Sequence, residues 1–400
     1  MRRIGVVTVA RSDYGYYRPL LRGIQAEKGM LELYLIVGGM HLSAAFGNTV
    51  KAIEEDGFPI DHRVDMLLSS DTPSAMAKSM GLGTIGFAQC FENRRPDLLL
   101  LLGDLSLMHA AAVAALPFRI PVAHIHGGEI TEGAMDDAFR HSITKMSHLH
   151  FVSTSEYARR VVQMGEEPWR VTVSGAPSLD NLKDTPLLDK AALEERYGLD
   201  LSRPPLMVTF HPVTLEGDRT EWQTGELLAA LDACSMPVVF SLPNADTGNR
   251  TIRRMMETFV RHRDSAVLVE NFGTEGYFSL MAVSSAMVGN SSSGIIEAAS
   301  FQLPVVNVGT RQAGRVRAKN VIDTADDRES ILQGIRRAMD PAFRNSLKDL
   351  VNPYGDGHAS DIIVRTLSEI PLNDRLIRKR FVDAPLPSDL REAGRGEWER

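Results

Sequence analysis

Ten short runs of this chain are apolar at nearly every position: RIGVVTV, LELYLIVGG, PDLLLLLG, IPVAHI and HLHFVS in the first half, then PPLMVTF, MPVVFSL, SAVLVE, SAMVGN and LPVVNVG in the second. A strand with one wet face alternates polar and apolar residues. One that does not alternate is buried on both faces, as in a parallel sheet covered by helices on either side. Helix-patterned segments stand between these runs, so the expected fold class is α/β, with two doubly wound, Rossmann-like domains facing a cleft. The polar stretch SLDNLKDTPLLDKAAL near Asp184 is the expected joint. It divides the chain into an N-terminal domain over 1–183 and a C-terminal domain over 184–372, followed by a charged tail over 373–400, partly disordered or packed on a neighbour. A ligand is expected between the lobes.

The bulk properties narrow the partners. At 400 residues and 44% hydrophobic content, neither domain is short of a core. The formal net charge of -7 argues against a nucleic acid or an anionic membrane as partner, since either needs a basic surface. Cys90 and Cys234 lie far apart and suggest no disulfide framework, which suits a reducing compartment. Arg11 interrupts the first apolar run before a signal-peptide core can form, and no stretch approaches the ~18 apolar residues of a membrane span. The expectation is a soluble cytoplasmic protein.

Two places concentrate chemistry. In GNSSSGIIEAASFQLPVVNVGTRQAGR, Gly289 to Arg315, a strand runs into Asn290, Ser291, Ser292, Ser293 and Gly294 as a helix begins. Backbone N–H groups, hydroxyls and the positive helix end converge there, an arrangement that binds phosphate; the plainer role for Ser291 or Ser292 is helix capping. Arg311 and Arg315 follow the next strand and could close on the same anion, and Glu297 lies where a carboxylate could take ribose hydroxyls. In the first strand–helix turn, Arg11 offers a second basic anchor, with Asp13 and Gly15 behind it and Arg18 in the helix. Neither GxGxxG nor GK[ST] occurs, which counts against nicotinamide dinucleotides and P-loop chemistry. The glycine-rich stretches VGGMHLSAAFG and SMGLGTIGF read as turns and close backbone contacts.

The second concentration is HIHGGEITEGAMDDAFRH, His124 to His141, with three histidines, four carboxylates and one arginine around a Gly-Gly turn between a strand and a helix. His124 and His126 are expected on one strand face, and with Glu129 they could make a metal site. Asp136 with Arg140 and Asp137 with His141 are i,i+4 pairs that could be simple surface salt bridges. Asp104, directly after a buried strand, is a candidate acid or a helix cap. His211 holds the matching place in the second half, as a proton donor or a phosphate ligand. Asn244 and Asp246 suit a turn or polar ligand contacts. Proton abstraction from carbon needs a base and an acid held apart, and this cluster with Asp104 supplies the candidates.

Taken in order, TVARSDYG, GMHLS, the aspartate after GD, HIHGGEITEGAMDDAFRHSITKMSHLHF, VSGAPSLDNL, HPVT, PNADTGN, GNSSSGIIEA and GTRQAGR resemble the hydrolysing UDP-N-acetylglucosamine 2-epimerases and their relatives acting on other 2-acetamido nucleotide sugars in sialic- and legionaminic-acid-type pathways. The resemblance is nearly chain-wide. It implies a GT-B-like two-lobed fold, with Arg11, His211, Asn244, Ser291, Ser292, Glu297 and Arg311 holding the nucleotide diphosphate and Asp104 and Asp136 as catalytic acids. The implied reaction is anti elimination of the nucleotide across C1 and C2, then addition of water to give a free 2-epimeric sugar, such as N-acetylmannosamine or a 2,4-diacetamido analogue. The implied partners are a UDP- or GDP-linked amino sugar and further copies of the chain in a homodimer or homotetramer; no metal or redox cofactor is implied. Departures from the pattern are His126 where several relatives carry glutamate, Leu105 where some carry arginine, and one extra residue before Asp136. The base is therefore His126 or Glu129. The competing readings are a GT-B glycosyltransferase, a non-hydrolysing 2-epimerase, and a metallohydrolase built on His124, His126 and Glu129.

Overall fold

All ten apolar runs form strands, and three more complete the sheets. The computed structural model describes residues 1–70, 72–132, 135–242 and 249–383. The first sheet contains β1 (Arg2–Thr8), β2 (Leu31–Gly38), β3 (His62–Val64), β4 (Leu98–Leu102), β5 (Val122–Ile125), β6 (Leu149–Val152) and β7 (Val171–Val173), in the order β3-β2-β1-β4-β5-β6-β7. The second contains β8 (Leu206–Thr209), β9 (Val238–Ser241), β10 (Ala266–Val269), β11 (Ala286–Gly289), β12 (Val305–Val308) and β13 (Val321–Thr324), in the order β10-β9-β8-β11-β12-β13. Every pairing is parallel. The fold is thus α/β with two doubly wound, GT-B-like lobes, as expected.

Burial explains which strands were legible. The five leucines of β4 are all buried beneath helices on both faces. Truncating one such leucine to alanine costs about 2–5 kcal/mol, a large part of a domain's net stability. The strands missing from the sequence reading, β3, β7 and β13, lie at sheet edges and are only partly buried, so they lack the continuous apolar signature.

Two local expectations are corrected. The stretch SMGLGTIGF lies inside the helix Pro73–Asn93 rather than in a turn. A Cβ at Gly83 would stand 3.1 Å from Met66 Sδ and 3.3 Å from Ala110 Cβ, and one at Gly86 would run into Val64, so these two glycines allow close packing at some loss of helix propensity, while Gly81 faces open space.

The other correction concerns the end of the chain. The helix Ala359–Glu369 leaves the second lobe, and Ile363, Val364, Leu367 and Leu376 join the core of the first. Residues expected to divide between a second domain and a tail are therefore built onto the first lobe. Buried Arg170 donates to the carbonyls of Arg375, Leu376 and Arg378, and Lys379 donates to those of Lys145 and Ser147 while pairing with buried Glu166. Through residue 383 the tail packs on its own chain.

Candidate active site

Strand order reverses between β1 and β4 in the first sheet and between β8 and β11 in the second. In doubly wound sheets a crevice opens at that reversal, outside the carboxyl ends of the strands. The two crevices face each other across a cleft of about 590 Å³ whose walls include Arg11, Tyr16, His211, Ser291, Glu297 and Arg311. Of the sequence-predicted nucleotide residues, Arg11, His211, Ser291, Ser292, Ser293, Glu297 and Arg311 therefore share one space.

The first turn presents Arg11 because Asp13 shapes it. The Asp13 carboxylate accepts from the N–H groups of Val9 (2.9 Å) and Ala10 (3.2 Å) and from the Thr8 hydroxyl, closing the helix start behind Arg11. Arg18 instead pairs with Asp56 at 2.9 Å.

At the second switch point the backbone is held tightly. Gly289 has φ +138°, and a Cβ there would run into the Thr209 carbonyl oxygen. The Asn290 amide side chain accepts from His211 N–H (2.7 Å) and donates to His211 C=O (2.8 Å), locking the two loops together. Arg311 and Gln312 both donate to Asn290 C=O, at 3.1 and 2.9 Å. Ser291 does cap the following helix, its hydroxyl accepting from Ser293 N–H. Burial, then the nearby Arg311 charge, lowers His211 to about 3, so it is neutral at physiological pH. Glu297 is buried, with its Oε2 unpaired among the described residues, and burial raises its pKa.

Beside this cleft stands the acid cluster of the first lobe. His126 lies past the end of β5 with φ +65°, a conformation uncommon outside glycine and worth a functional reading. Its Nδ1 meets Glu129 Oε1 at 2.6 Å and Ser153 Oγ at 2.8 Å, while its Nε2 is buried with no hydrogen-bond partner among the described residues. The Tyr16 ring, which also lines the cleft, lies 5.8 Å from the His126 ring. Glu129 Oε2 pairs with Arg315 of the second lobe at 3.0 Å. Burial alone would raise the Glu129 pKa, but His126 and Arg315 outweigh it and hold the carboxylate well below its usual range. Arg140 pairs with Asp104 and also donates to Thr131 Oγ1 and to His126 C=O.

Several sequence readings change here. Arg315, expected beside Arg311, pairs with Glu129 of the first lobe, while Arg311 donates to Asn290 C=O. Arg140 pairs with Asp104, so in place of the expected Asp136–Arg140 surface bridge there is a part-buried one. Asp137 accepts from Thr131 N–H at 2.6 Å and closes the loop before the helix Asp136–Met146, which places Asp136 at that helix's start. Asp104 does not cap the next helix, whose N-cap is Leu105. His124 and His126 do not share a strand face: His124 is fixed by Gly103 C=O (2.7 Å) and Thr144 Oγ1 (3.1 Å), and burial lowers it to about 3. No group of three or more His, Cys, Asp or Glu among the described residues is placed to hold a metal, so the His124–His126–Glu129 site is not assembled. Asn244 and Asp246 lie outside the described residues. Tyr16 and Ser153 were missed, since an isolated tyrosine or serine carries no signal until the chain is folded.

The family model for UDP-N-acetylglucosamine 2-epimerase matches residues 24–368. The chain belongs to that family. It is 38% identical to the UDP-N,N'-diacetylbacillosamine 2-epimerase (hydrolyzing) of Legionella pneumophila, over 95% of this chain and 99% of that protein. It is 36% identical to the GDP/UDP-N,N'-diacetylbacillosamine 2-epimerase (hydrolyzing) of Campylobacter jejuni, over 96% and 99%. Among solved structures it resembles the UDP-GlcNAc 2-epimerase of Neisseria meningitidis bound to UDP-GlcNAc, with a TM-score of 0.80 and 19% identity over 92% of this chain and 99% of that one. At that identity the likeness concerns the fold. As a member of this family the chain is an enzyme acting on a nucleotide sugar.

Proposed function

We propose that this enzyme is a hydrolysing 2-epimerase that converts a UDP- or GDP-linked 2,4-diacetamido sugar to the free 2-epimer and the nucleotide diphosphate, for sialic-acid-like sugar biosynthesis. The observation that carries the reading is the pairing, across one cleft, of an anion corner with a histidine–carboxylate cluster. Arg11, His211, Asn244, Ser291, Ser292, Ser293, Glu297 and Arg311 hold the nucleotide. His126 Nε2 takes the proton from C2, the C–H electrons form a C1–C2 double bond, and the C1–O bond breaks as the diphosphate leaves. Water then adds, its hydroxyl to C1 and a proton to C2, with Asp104 and Asp136 serving the proton transfers. The pattern of a carboxylate behind a histidine favours His126 over Glu129 as base, because Glu129 is already held ionised by two partners. The names of the two relatives support the sugar and the hydrolytic outcome.

In this reading the enzyme works in the cytoplasm, in keeping with two free cysteines, and as a homodimer or homotetramer. Exposed Met76, Leu82 and Ile85 on one helix, with Val113 and Leu116 at the end of its neighbour, supply apolar surface for such an assembly. No helix among the described residues is long and apolar enough to cross a membrane. The test is incubation with UDP-N,N'-diacetylbacillosamine and UDP-N-acetylglucosamine in deuterated water, followed by NMR. Free nucleotide, a free 2-epimeric sugar and deuterium at C2 are expected. A product that keeps its nucleotide would place the chain with non-hydrolysing epimerases, and nucleotide release that needs a second sugar or lipid would make it a glycosyltransferase.

A further inference from the structure

The loop after β12 carries two arginines with different destinations. Arg311 stays at the anion corner through Asn290 C=O, while Arg315 crosses to the first lobe and meets Glu129. The crossing depends on Gly314, which has φ +79° and would place a Cβ 2.9 Å from Ile130 Cγ2. A side chain there would push the loop off the first lobe, and Arg315 with it.

We propose that Glu129 and Arg315 form one positioning unit for His126, fixing Nε2 as its proton-accepting nitrogen while the loop that carries Arg311 is docked. The inference rests on the reading of His126 as the base. Glu129 divides its oxygens: Oε1 takes His126 Nδ1 and the Ser153 hydroxyl (3.0 Å), and Oε2 takes Arg315. An ionised Glu129 accepts a hydrogen bond from Nδ1–H and leaves a lone pair on Nε2, the nitrogen with no partner among the described residues. A protonated Glu129 would donate to Nδ1 instead, moving the imidazole proton to Nε2 and abolishing the base. Arg315 prevents that switch by neutralising a carboxylate that is otherwise desolvated. The backbone is fixed independently, by His126 N–H to Phe151 C=O (3.0 Å) and by Arg140 to His126 C=O (3.3 Å). Base orientation in one lobe is thereby tied to the nucleotide loop of the other.

The charged and titratable groups around His126 are Glu129, Arg315, Arg140, Glu297, His124 and Tyr16. Removing either the anion or the cation of the pair should therefore release the proton from its fixed place on Nδ1. Following its ring nitrogens by nitrogen-15 NMR in the intact protein, the parent and Arg315→Lys should carry the proton on Nδ1, whereas Glu129→Gln and Arg315→Gln should both lose that preference. In turnover, each neutral variant should lose at least ~100-fold in kcat, the low end for a lost acid–base group, with KM nearly unchanged. A proton that stays on Nδ1 in both neutral variants overturns the proposal. So does an Arg315→Gln enzyme with normal kcat and weakened binding of UDP, which would return Arg315 to the anion. Should a neutral variant fail to fold, Arg315→Lys decides between the same two outcomes by its kcat and its UDP affinity. If no nucleotide sugar is turned over by the parent, the epimerase reading fails while the placement of the His126 proton still tests the pair.

Discussion

The two switch points build a site by different means. In the second lobe the working side chains are held through the backbone: Asn290 clamps both sides of the His211 peptide, and Gly289 lets the strands approach closely enough for it to do so. In the first lobe they are held by buried charge, Asp104 with Arg140 and His126 with Glu129, the latter neutralised from the opposite lobe by Arg315. A corner made of peptide groups keeps its shape when one charge is lost and suits an invariant ligand such as a diphosphate. A charge-held cluster changes protonation and orientation together, which proton transfer requires but which makes each member sensitive to its neighbours.

Removing a charge from each side separates the two behaviours most sharply. Asp104→Asn and Asp136→Asn are each expected to reduce kcat by at least ~100-fold, the low end for a lost acid–base group, with UDP affinity little changed. Near-parent turnover in either variant would remove it from the chemistry. Arg311→Ala should instead weaken UDP binding by about 1.5–3 kcal/mol, as expected for a lost charge-assisted contact, and calorimetry measures this directly. Unchanged affinity would mean that the anion lies elsewhere.

Gly289→Ala tests the backbone side without touching a charge. The added Cβ meets the Thr209 carbonyl oxygen, so a loss of about 1–3 kcal/mol in unfolding free energy is expected, with weaker UDP binding as Asn290 and His211 separate. An unperturbed melting curve would show that the corner tolerates more than its geometry suggests.

The smallest effect is on stability against pH. Burial lowers His124 and His211 to about 3 and His148 to about 4. An unfolded chain binds protons at these histidines near pH ~6.5, whereas the folded chain refuses them until much lower pH. The stability they contribute is therefore present above ~6.5 and declines as pH falls toward 4. Urea unfolding at pH 7.5 and pH 5 should show the lower midpoint at pH 5; equal midpoints would mean that these rings are reached by water.

Much of this architecture is written in local pattern. Strands buried on both faces announce themselves by continuous apolar runs, and strand ends follow from them, which is why Asp104, His211 and the stretch Asn290–Ser293 could be placed at the carboxyl edge of a sheet before any fold was known. Edge strands β3 and β7 escaped because they are only three residues long and partly exposed, and β13 because polar residues interrupt it, whereas the edge strand β10 kept an apolar run. The glycines of SMGLGTIGF misled because a helix packed tightly against its neighbours needs small residues as much as a turn does.

Partnership was decided only by tertiary structure. Sequence periodicity reports which positions are buried, not which buried groups meet, so nothing in the chain shows that Arg140 turns to Asp104 rather than Asp136, or that Arg315 leaves Arg311 to cross to Glu129. The positive φ at His126, set where β5 ends, and the return of the helix Ala359–Glu369 to the first lobe are likewise outcomes of packing between distant segments. The sequence by itself determined two parallel-sheet lobes and the stock of groups at their edges. The fold decided how those groups pair, because in a buried site each charge must find its partner across whatever chain separation packing imposes.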